Sequence, residues 1–594
     1  YAARMLPAIF RVDDPVLQVP FTTEDRLALE NILEGIEESI FRADDSLGWV
    51  YQFWQSEEKD AINKSGDKID GKRLPAVTQL FTEPYMVHFL IDNTIGAWWV
   101  SRNPGVTPPV HFKYLRLKED GTPAAGSYPG WQNTTKEITT MDPCMGSGHF
   151  LIAQFEVLVR LRIAEEGLTM EAAATAVIRD NLHGLELDPR CTQIAAFNLA
   201  LAAWKFAGHF FPLPPMNLAC SGIAPQGRRE EWAALGGKNR NLREGMEMLY
   251  DVFRDAPQLG SLIDPDINKG GFDFFNFDGL LKLLEEVSDG EGIENEERGV
   301  TAKGIALAGV LLSRKYTLHI TNVPYLARGK QSAGMAEYIN NNYRTSRNDL
   351  ATVFLERMLK SARAGGTVCT VMPQNWLFLT TYKHLRKDIL SKNRLNFIAR
   401  LGAGAFSQIS GEVVKAILLG VENVKDQEQL FFGTDVSAAK SAKEKDESLQ
   451  NSDITFVSQK AQLGNPDSII VLDKIKGGKL LEEYAESLKG TDTGDDPRFA
   501  RFVFEQSQIP FPLWMKYHGS PNSNSIYSGK QRVLFWEDES GQFANNSTGT
   551  IRRRDTLRKD AIAIKLIGQL ETSLFKKTLF DTNIAAIIAK SQIH

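Results

Sequence analysis

The sequence has few cysteines, and they are scattered. Cys144, Cys191, Cys220 and Cys369 form no Cys-x-x-Cys pair, which excludes a zinc knuckle or disulfide framework and favours a reducing, cytoplasmic setting. No window of about 18 uncharged apolar residues occurs, so no membrane span is expected. Excess positive charge is missing too. The net charge is −6, so any nucleic-acid footprint must come from a local basic stripe. No sequence repeat is visible. The chain opens on Tyr1-Ala2-Ala3-Arg4, without Met or a signal-peptide pattern. The expectation is that both ends are cuts.

A length of 594 residues, 43% of them hydrophobic, predicts roughly three or four folding units. Residues 1 to about 75 carry apolar positions at helical spacing (Leu27, Leu29, Ile32, Leu33, Ile36). An aromatic cluster, Trp49, Tyr51, Phe53 and Trp54, and a charged linker from Ser56 to Lys72 follow. This reads as a helical region whose aromatics pack on the next domain. From 76 to 425 short β-rich runs alternate with helical ones, the pattern of a parallel α/β sheet. Predicted strands are Glu137–Met141, Leu182–Leu185, Tyr316–Ile320, Thr367–Val371 and Ala416–Leu419. Residues 222–312 read as a helical insertion and subdomain. From 426 to 594 the composition shifts. Lys440–Ser452 is expected as a loop, and Ile469–Leu472 and Arg532–Trp536 as strands. Arg552, Arg553 and Arg554 form the densest positive run, a candidate phosphate contact against the commoner reading of solvated surface.

Three segments carry chemistry. Met141-Asp142-Pro143-Cys144-Met145-Gly146-Ser147-Gly148-His149-Phe150 follows a strand and opens a helix. Gly146 and Gly148 permit a tight turn and close ligand approach. Asp142 would repel a pyrophosphate but suits a ligand bearing an ammonium group, such as S-adenosylmethionine. A bare Gly-x-Gly after a strand is equally a plain β–α turn; the longer acid-Pro-x-x-Gly-x-Gly-x-Phe string is more specific. Some 40 residues on, Gly184-Leu185-Glu186-Leu187-Asp188-Pro189 places Glu186, with Leu187 beside it, where an acid accepts bonds from ribose hydroxyls. Asp188 reads as a helix N-cap. The third segment is Ile320-Thr321-Asn322-Val323-Pro324-Tyr325. The Asn322 side-chain oxygen and the Val323 carbonyl can accept the two N–H groups of a flipped adenine's amine, and Tyr325 offers a face for stacking. Taken alone, this segment reads better as an Asx-type turn ending a strand; its place after the two preceding motifs reverses that.

Together these segments resemble the adenine-N6 amino-methyltransferases of DNA, over residues 76–425. The resemblance implies a Rossmann-like S-adenosylmethionine-dependent methyltransferase fold, with a helical N-terminal region and a C-terminal α+β target-recognition region. It implies site-specific methyl transfer to N6 of adenine in double-stranded DNA, with no metal. Asn322, Val323, Pro324 and Tyr325 stand where that family has Asn-Pro-Pro-Tyr. Phe81-Thr82-Glu83-Pro84 resembles an upstream motif in which Thr82 would bind the donor's carboxylate. Asn348–Glu356 resembles the helix that lends an aromatic, Phe354, to the cofactor's adenine. Gly365–Trp376 resembles the following strand and loop, and Leu401–Phe406 the segment whose Phe, here Phe406, packs on the flipped base.

Three positions depart from the pattern. Val323 replaces a Pro, Glu83 stands where Pro is usual, and the third strand tip has Ser221 where an acid is common. The segments Trp49–Trp54, Thr78–Thr82 and Asn322–Tyr325 are similar to the large methyltransferases of BREX phage-exclusion systems, which implies self-marking beside other defence proteins. Two rivals stand beside this reading. One is a protein glutamine N5-methyltransferase sharing the Asn loop. The other is a non-catalytic DNA- or cofactor-binding defence component, to which Val323 would point.

Overall fold

A computed structural model describes residues 2–6, 19–42, 46–71, 73–78, 82–266, 277–288, 296–406, 414–425, 430–472, 480–510, 513–537, 541–543, 545, 560–566 and 568–590. The chain divides into two compact units, Tyr1–Lys474 and Ile475–His594.

Long buried runs of β-branched and aliphatic residues set the first unit. Its strands are β1 (Thr140–Asp142), β2 (Leu182–Glu186), β3 (Asn217–Cys220), β4 (Tyr316–Asn322), β5 (Ala362–Pro373), β6 (Arg394–Gly402), β7 (Ala416–Glu422), β8 (Leu430–Asp435) and β9 (Thr455–Ser458). They lie in the order β3-β2-β1-β4-β5-β7-β6-β8-β9. β3, β2, β1, β4 and β5 run parallel, and β7 is antiparallel to both β5 and β6. This is a Rossmann-like methyltransferase sheet, with β8 and β9 added at the far edge. The sheet therefore runs on past 425, where the composition had suggested a boundary.

Side chains alternate across the sheet as a pleat requires. Cys369, Val371, Phe397, Ala399 and Leu418 join one core with Phe89, Phe155 and Leu158. Val368, Met372, Ile398, Leu419 and Val421 join a second with Leu350, Phe354 and Leu355. Each fully buried Val, Leu, Ile, Phe or Met among them contributes about 1.5–3 kcal/mol. The helical insertion does not stand apart. Its helices Arg240–Phe253 and Glu296–Ser313 share a third core with Met141, Leu185, Ala219 and Tyr316 of the sheet.

Several local expectations are corrected. Glu137 belongs to a short 3₁₀ turn, Thr135–Glu137, and the strand starts at Thr140. The charged stretch after Ser56 continues the helix Ser46–Ser65. Phe53 and Trp54 of the aromatic cluster are 81% and 80% exposed, and only Tyr51 of those described packs inward. The helix Thr23–Glu34 buries none of its residues. Lys440–Ser452 is mostly the helix Ala442–Asn451, capped by Ser441, whose hydroxyl accepts from the Glu444 amide. Ile469–Leu472 is extended but pairs with no strand; the Ile470 amide donates to the Leu377 carbonyl at 2.9 Å.

The second unit holds two four-stranded sheets. One has the order Ala485–Lys489, Ile584–Ala589, Asp560–Lys565, Thr572–Lys576; the other Ala500–Phe502, Arg532–Phe535, Trp514–His518, Leu579–Phe580. Among the described residues no helix is long and apolar enough to cross a membrane.

Candidate active site at the carboxyl edge of the sheet

Parallel pairing of β2, β1 and β4 brings their final residues, Glu186, Asp142 and Asn322, to one edge. Between β1 and β4 the strand order reverses, and such a switch point opens a crevice outside the carboxyl ends. Thr82, Gly146, Glu186, Leu187, Asn322, Pro324 and Phe354 all line that cleft. Seven candidates far apart in sequence therefore share one wall.

The loop after β1 is shaped for ligand approach. Gly146 and Gly148 have φ of 52° and 96°, a region costly for other residues. A Cβ at Gly148 would stand 3.3 Å from Ala195 of the helix Pro189–Ala207, while one at Gly146 would meet nothing within 4 Å. Gly146 thus faces open cleft. Gly148 then caps the helix His149–Glu166.

Two acids sit under and beside this loop. Asp142 is 1% exposed. Its Oδ1 accepts from the Cys144 amide at 3.1 Å, and its Oδ2 has no well-aligned donor. Burial, reinforced by the charge of Glu186, outweighs these bonds and the nearby Thr321 hydroxyl, pushing its pKa up to about 7. Glu186 accepts from the amides of Gly146 (2.8 Å), Leu187 (2.8 Å) and Asp188 (3.1 Å). Burial raises its pKa, against the pull of those three N–H groups. Ser221, fully buried at the tip of β3, donates to the Glu186 carbonyl at 3.1 Å and bonds Ser261 at 3.0 Å. Ser221 fastens the wall instead of lining the cleft.

The third strand tip carries a side-chain chain. Asn322 Nδ2 donates to Thr82 Oγ1 at 3.1 Å, and Tyr325 Oη donates to Asn322 Oδ1 at 3.0 Å. Thr82, 5% exposed, precedes the helix Pro84–Ile91. Glu83 takes the extended backbone (φ −60°, ψ 137°) that any residue before proline prefers, so its departure from the family pattern distorts nothing. Val323 is buried in the second core. Phe354 is held on the helix Leu350–Ser361, N-capped by Asp349. Phe406 is buried in the first core and is not among the cleft-lining residues. It sits beside Ala405, whose carbonyl accepts from Tyr85 Oη at 2.8 Å. Phe81 and Arg552, Arg553 and Arg554 lie outside the described residues.

The sequence alone missed two walls of the cleft. Leu259, Gly260, Ser261 and Leu262 come from the insertion, and Gly48 and Tyr51 from the N-terminal helix. Of these residues the sequence singles out only Tyr51, as part of an aromatic cluster expected to pack on the next domain.

The chain is similar to several known proteins. The family described as Eco57I restriction-modification methylase matches residues 180–406. The adenine-specific methyltransferase PglX of Lacticaseibacillus casei (strain Zhang) is 28% identical, over 92% of this chain and 49% of its own. The adenine-specific methyltransferase BrxX of Escherichia coli O9:H4 (strain HS) is 26% identical, over 70% of this chain and 36% of its own. The Type IIL restriction-modification enzyme MmeI, solved in complex with DNA, superposes with a TM-score of 0.46 at 11% identity, covering 87% of this chain and 63% of that one. The chain spans about half the length, or less, of the curated relatives it matches first. It is similar to the adenine-specific methyltransferase PglX over nearly all of its own length, and to BrxX over 70% of it.

Proposed function

We propose that this chain transfers a methyl group from S-adenosylmethionine to N6 of an adenine flipped out of double-stranded DNA, at a specific site, as self-marking in a phage-defence system. The observation that carries the reading is the Thr82–Asn322–Tyr325 hydrogen-bonded chain, whose first two members line the cleft together with Gly146 and Glu186, while Tyr325 is not itself among the cleft-lining residues.

The residues present fit the donor. The buried Asp142 oxygen without a well-aligned partner suits a cationic ammonium, and Glu186 suits ribose hydroxyls. Gly146 leaves room for the ligand, and Phe354 supplies a flat apolar wall. When bound, S-adenosylmethionine supplies an electrophilic methyl group on a sulfonium. The protein's part is positioning. Thr82 holds the amide nitrogen of Asn322, so its oxygen is presented toward the base. An amide oxygen has two lone pairs; it accepts the adenine amine either beside the Tyr325 hydroxyl or after that hydroxyl swings away. The Val323 carbonyl takes the second N–H, and the Tyr325 ring stacks on the base. The amine attacks directly, so no covalent nucleophile is needed, and the surplus proton leaves to water.

In this proposal the second unit begins the target-recognition region, with Arg552, Arg553 and Arg554 as phosphate contacts and Phe406 a supporting aromatic. The setting is cytoplasmic, alongside other defence proteins. The test is transfer of labelled methyl to DNA and to protein in parallel. Label in DNA as N6-methyladenine is expected; label confined to protein glutamine would overturn the reading.

A further inference from the structure

The N-terminal helix Ser46–Ser65 supplies two cleft-lining residues, Gly48 and Tyr51, that none of the cofactor motifs calls for. Tyr51 is 8% exposed. Its hydroxyl donates to Asp188 Oδ2 and accepts from Gln55 Nε2 at 2.8 Å. The Arg190 guanidinium lies 5.2 Å from the Tyr51 ring centroid and pairs with Asp188 at 2.9 Å. Burial works to raise the Asp188 pKa, but the bonds from Arg190 and Tyr51 outweigh it and hold the carboxyl charged below its ordinary range. Asp188 also caps the helix Pro189–Ala207, only two residues beyond Glu186. Tyr51 is thus tied directly to the segment that holds the second acid.

Among the described residues, few side chains in this part of the helix turn inward. Gly48, Tyr51 and Gln55 are buried at one helical stripe. Val50, Phe53 and Trp54 are 62%, 81% and 80% exposed. Elements with few buried apolar contacts open most readily, and such elements over a ligand commonly gate it.

We infer that Tyr51 is a cofactor-retaining residue: its bond to Asp188 latches the start of the N-terminal helix over the donor cleft, and the donor enters and leaves when that bond opens. This rests on the cofactor reading of the cleft. A hydrogen bond to a charged acceptor is of the strong kind, so its loss shifts the opening equilibrium by roughly tenfold.

The test is stopped-flow binding of S-adenosylmethionine to the wild-type chain and to Tyr51→Phe, which keeps the ring and removes only the hydroxyl. A latch predicts that the association and dissociation rates both rise, by roughly tenfold. Gln55→Leu, which leaves the phenol in place, should move both rates the same way by a smaller factor. A faster dissociation with unchanged or slower association would mean Tyr51 only buttresses the site, and would overturn the latch. Unchanged rates in both variants would overturn it as well. Failure of the wild-type chain to bind S-adenosylmethionine at all would instead strike the cofactor assignment on which the latch depends.

Discussion

If the proposed donor site is right, Asp142 makes donor binding depend on pH. Its carboxyl is buried and pushed up to about 7, from an ordinary value near ~4. Below about pH 7 the free protein therefore holds a proton there. An ammonium-bearing donor needs the charged carboxylate, so binding releases that proton. Affinity for S-adenosylmethionine should fall by about tenfold for each pH unit between about 7 and 5. The same group acts on stability in the opposite direction. A folded value above the unfolded one means its stabilising contribution is complete below the unfolded value and is lost as pH rises through about 7. Without ligand, this term favours the fold at about pH 5.5 over about pH 7.5, by up to ~1.4 kcal/mol per unit.

Asp142→Asn keeps an acceptor for the Cys144 amide and abolishes the titration. It should bind weakly at every pH and lose the slope. Calorimetric titration in two buffers of different ionisation enthalpy, at about pH 5.5, 6.5 and 7.5, counts the proton directly. Because burial also raises Glu186, the variant is needed to attribute the slope. A flat wild-type affinity, or a slope that survives in Asp142→Asn, would refute the reasoning.

Glu186→Gln leaves the Gly146 amide facing an NH₂ group where it had a carboxylate oxygen at 2.8 Å. Removing a buried charge offsets much of that loss in the free protein, so the melting temperature should move by under about 2 °C. Donor affinity should drop about 10- to 100-fold, the worth of bonds from two hydroxyls to a charged acceptor; calorimetry showing less than a twofold loss would remove Glu186 from the cofactor site. Thr82→Val strips the acceptor from Asn322 Nδ2 but leaves the loop after β1 intact. It should lower kcat by roughly tenfold or more with little change in donor affinity; a change confined to donor affinity would instead place Thr82 on the donor.

The sheet and the tips of β1, β2 and β4 were legible in the sequence for a physical reason. A strand buried on both faces writes a continuous apolar run, and a tight turn at a ligand writes glycine. Gly184, inside β2, is glycine for a tertiary reason: a Cβ there would stand 2.4 Å from the Met145 sulfur. What failed was whatever depended on distant partners. High charge and few apolar residues made 440–452 read as a loop, and Lys445 is one of those charges. Its side chain is instead fully buried, its ammonium donating to the Leu401 carbonyl at 2.7 Å and to that of Ala439. Ile469–Leu472 has strand-like composition because Ile470 and Leu472 are buried, yet no neighbour completes a ladder. Tyr51 and Ser261 reach the cleft only through tertiary packing across 137 and 40 residues, to Asp188 and Ser221 respectively. No pattern within a window the length of one helix announces such contacts.

The central claim is that Asn322 presents an adenine amine to the methyl donor. Its most direct measurement is N6-methyladenine formed in DNA by the wild-type chain and by Asn322→Ala, with donor binding followed in parallel. The variant is expected still to bind S-adenosylmethionine within a few-fold of wild type but to form no detectable N6-methyladenine. Methylation at the wild-type rate in Asn322→Ala would contradict it.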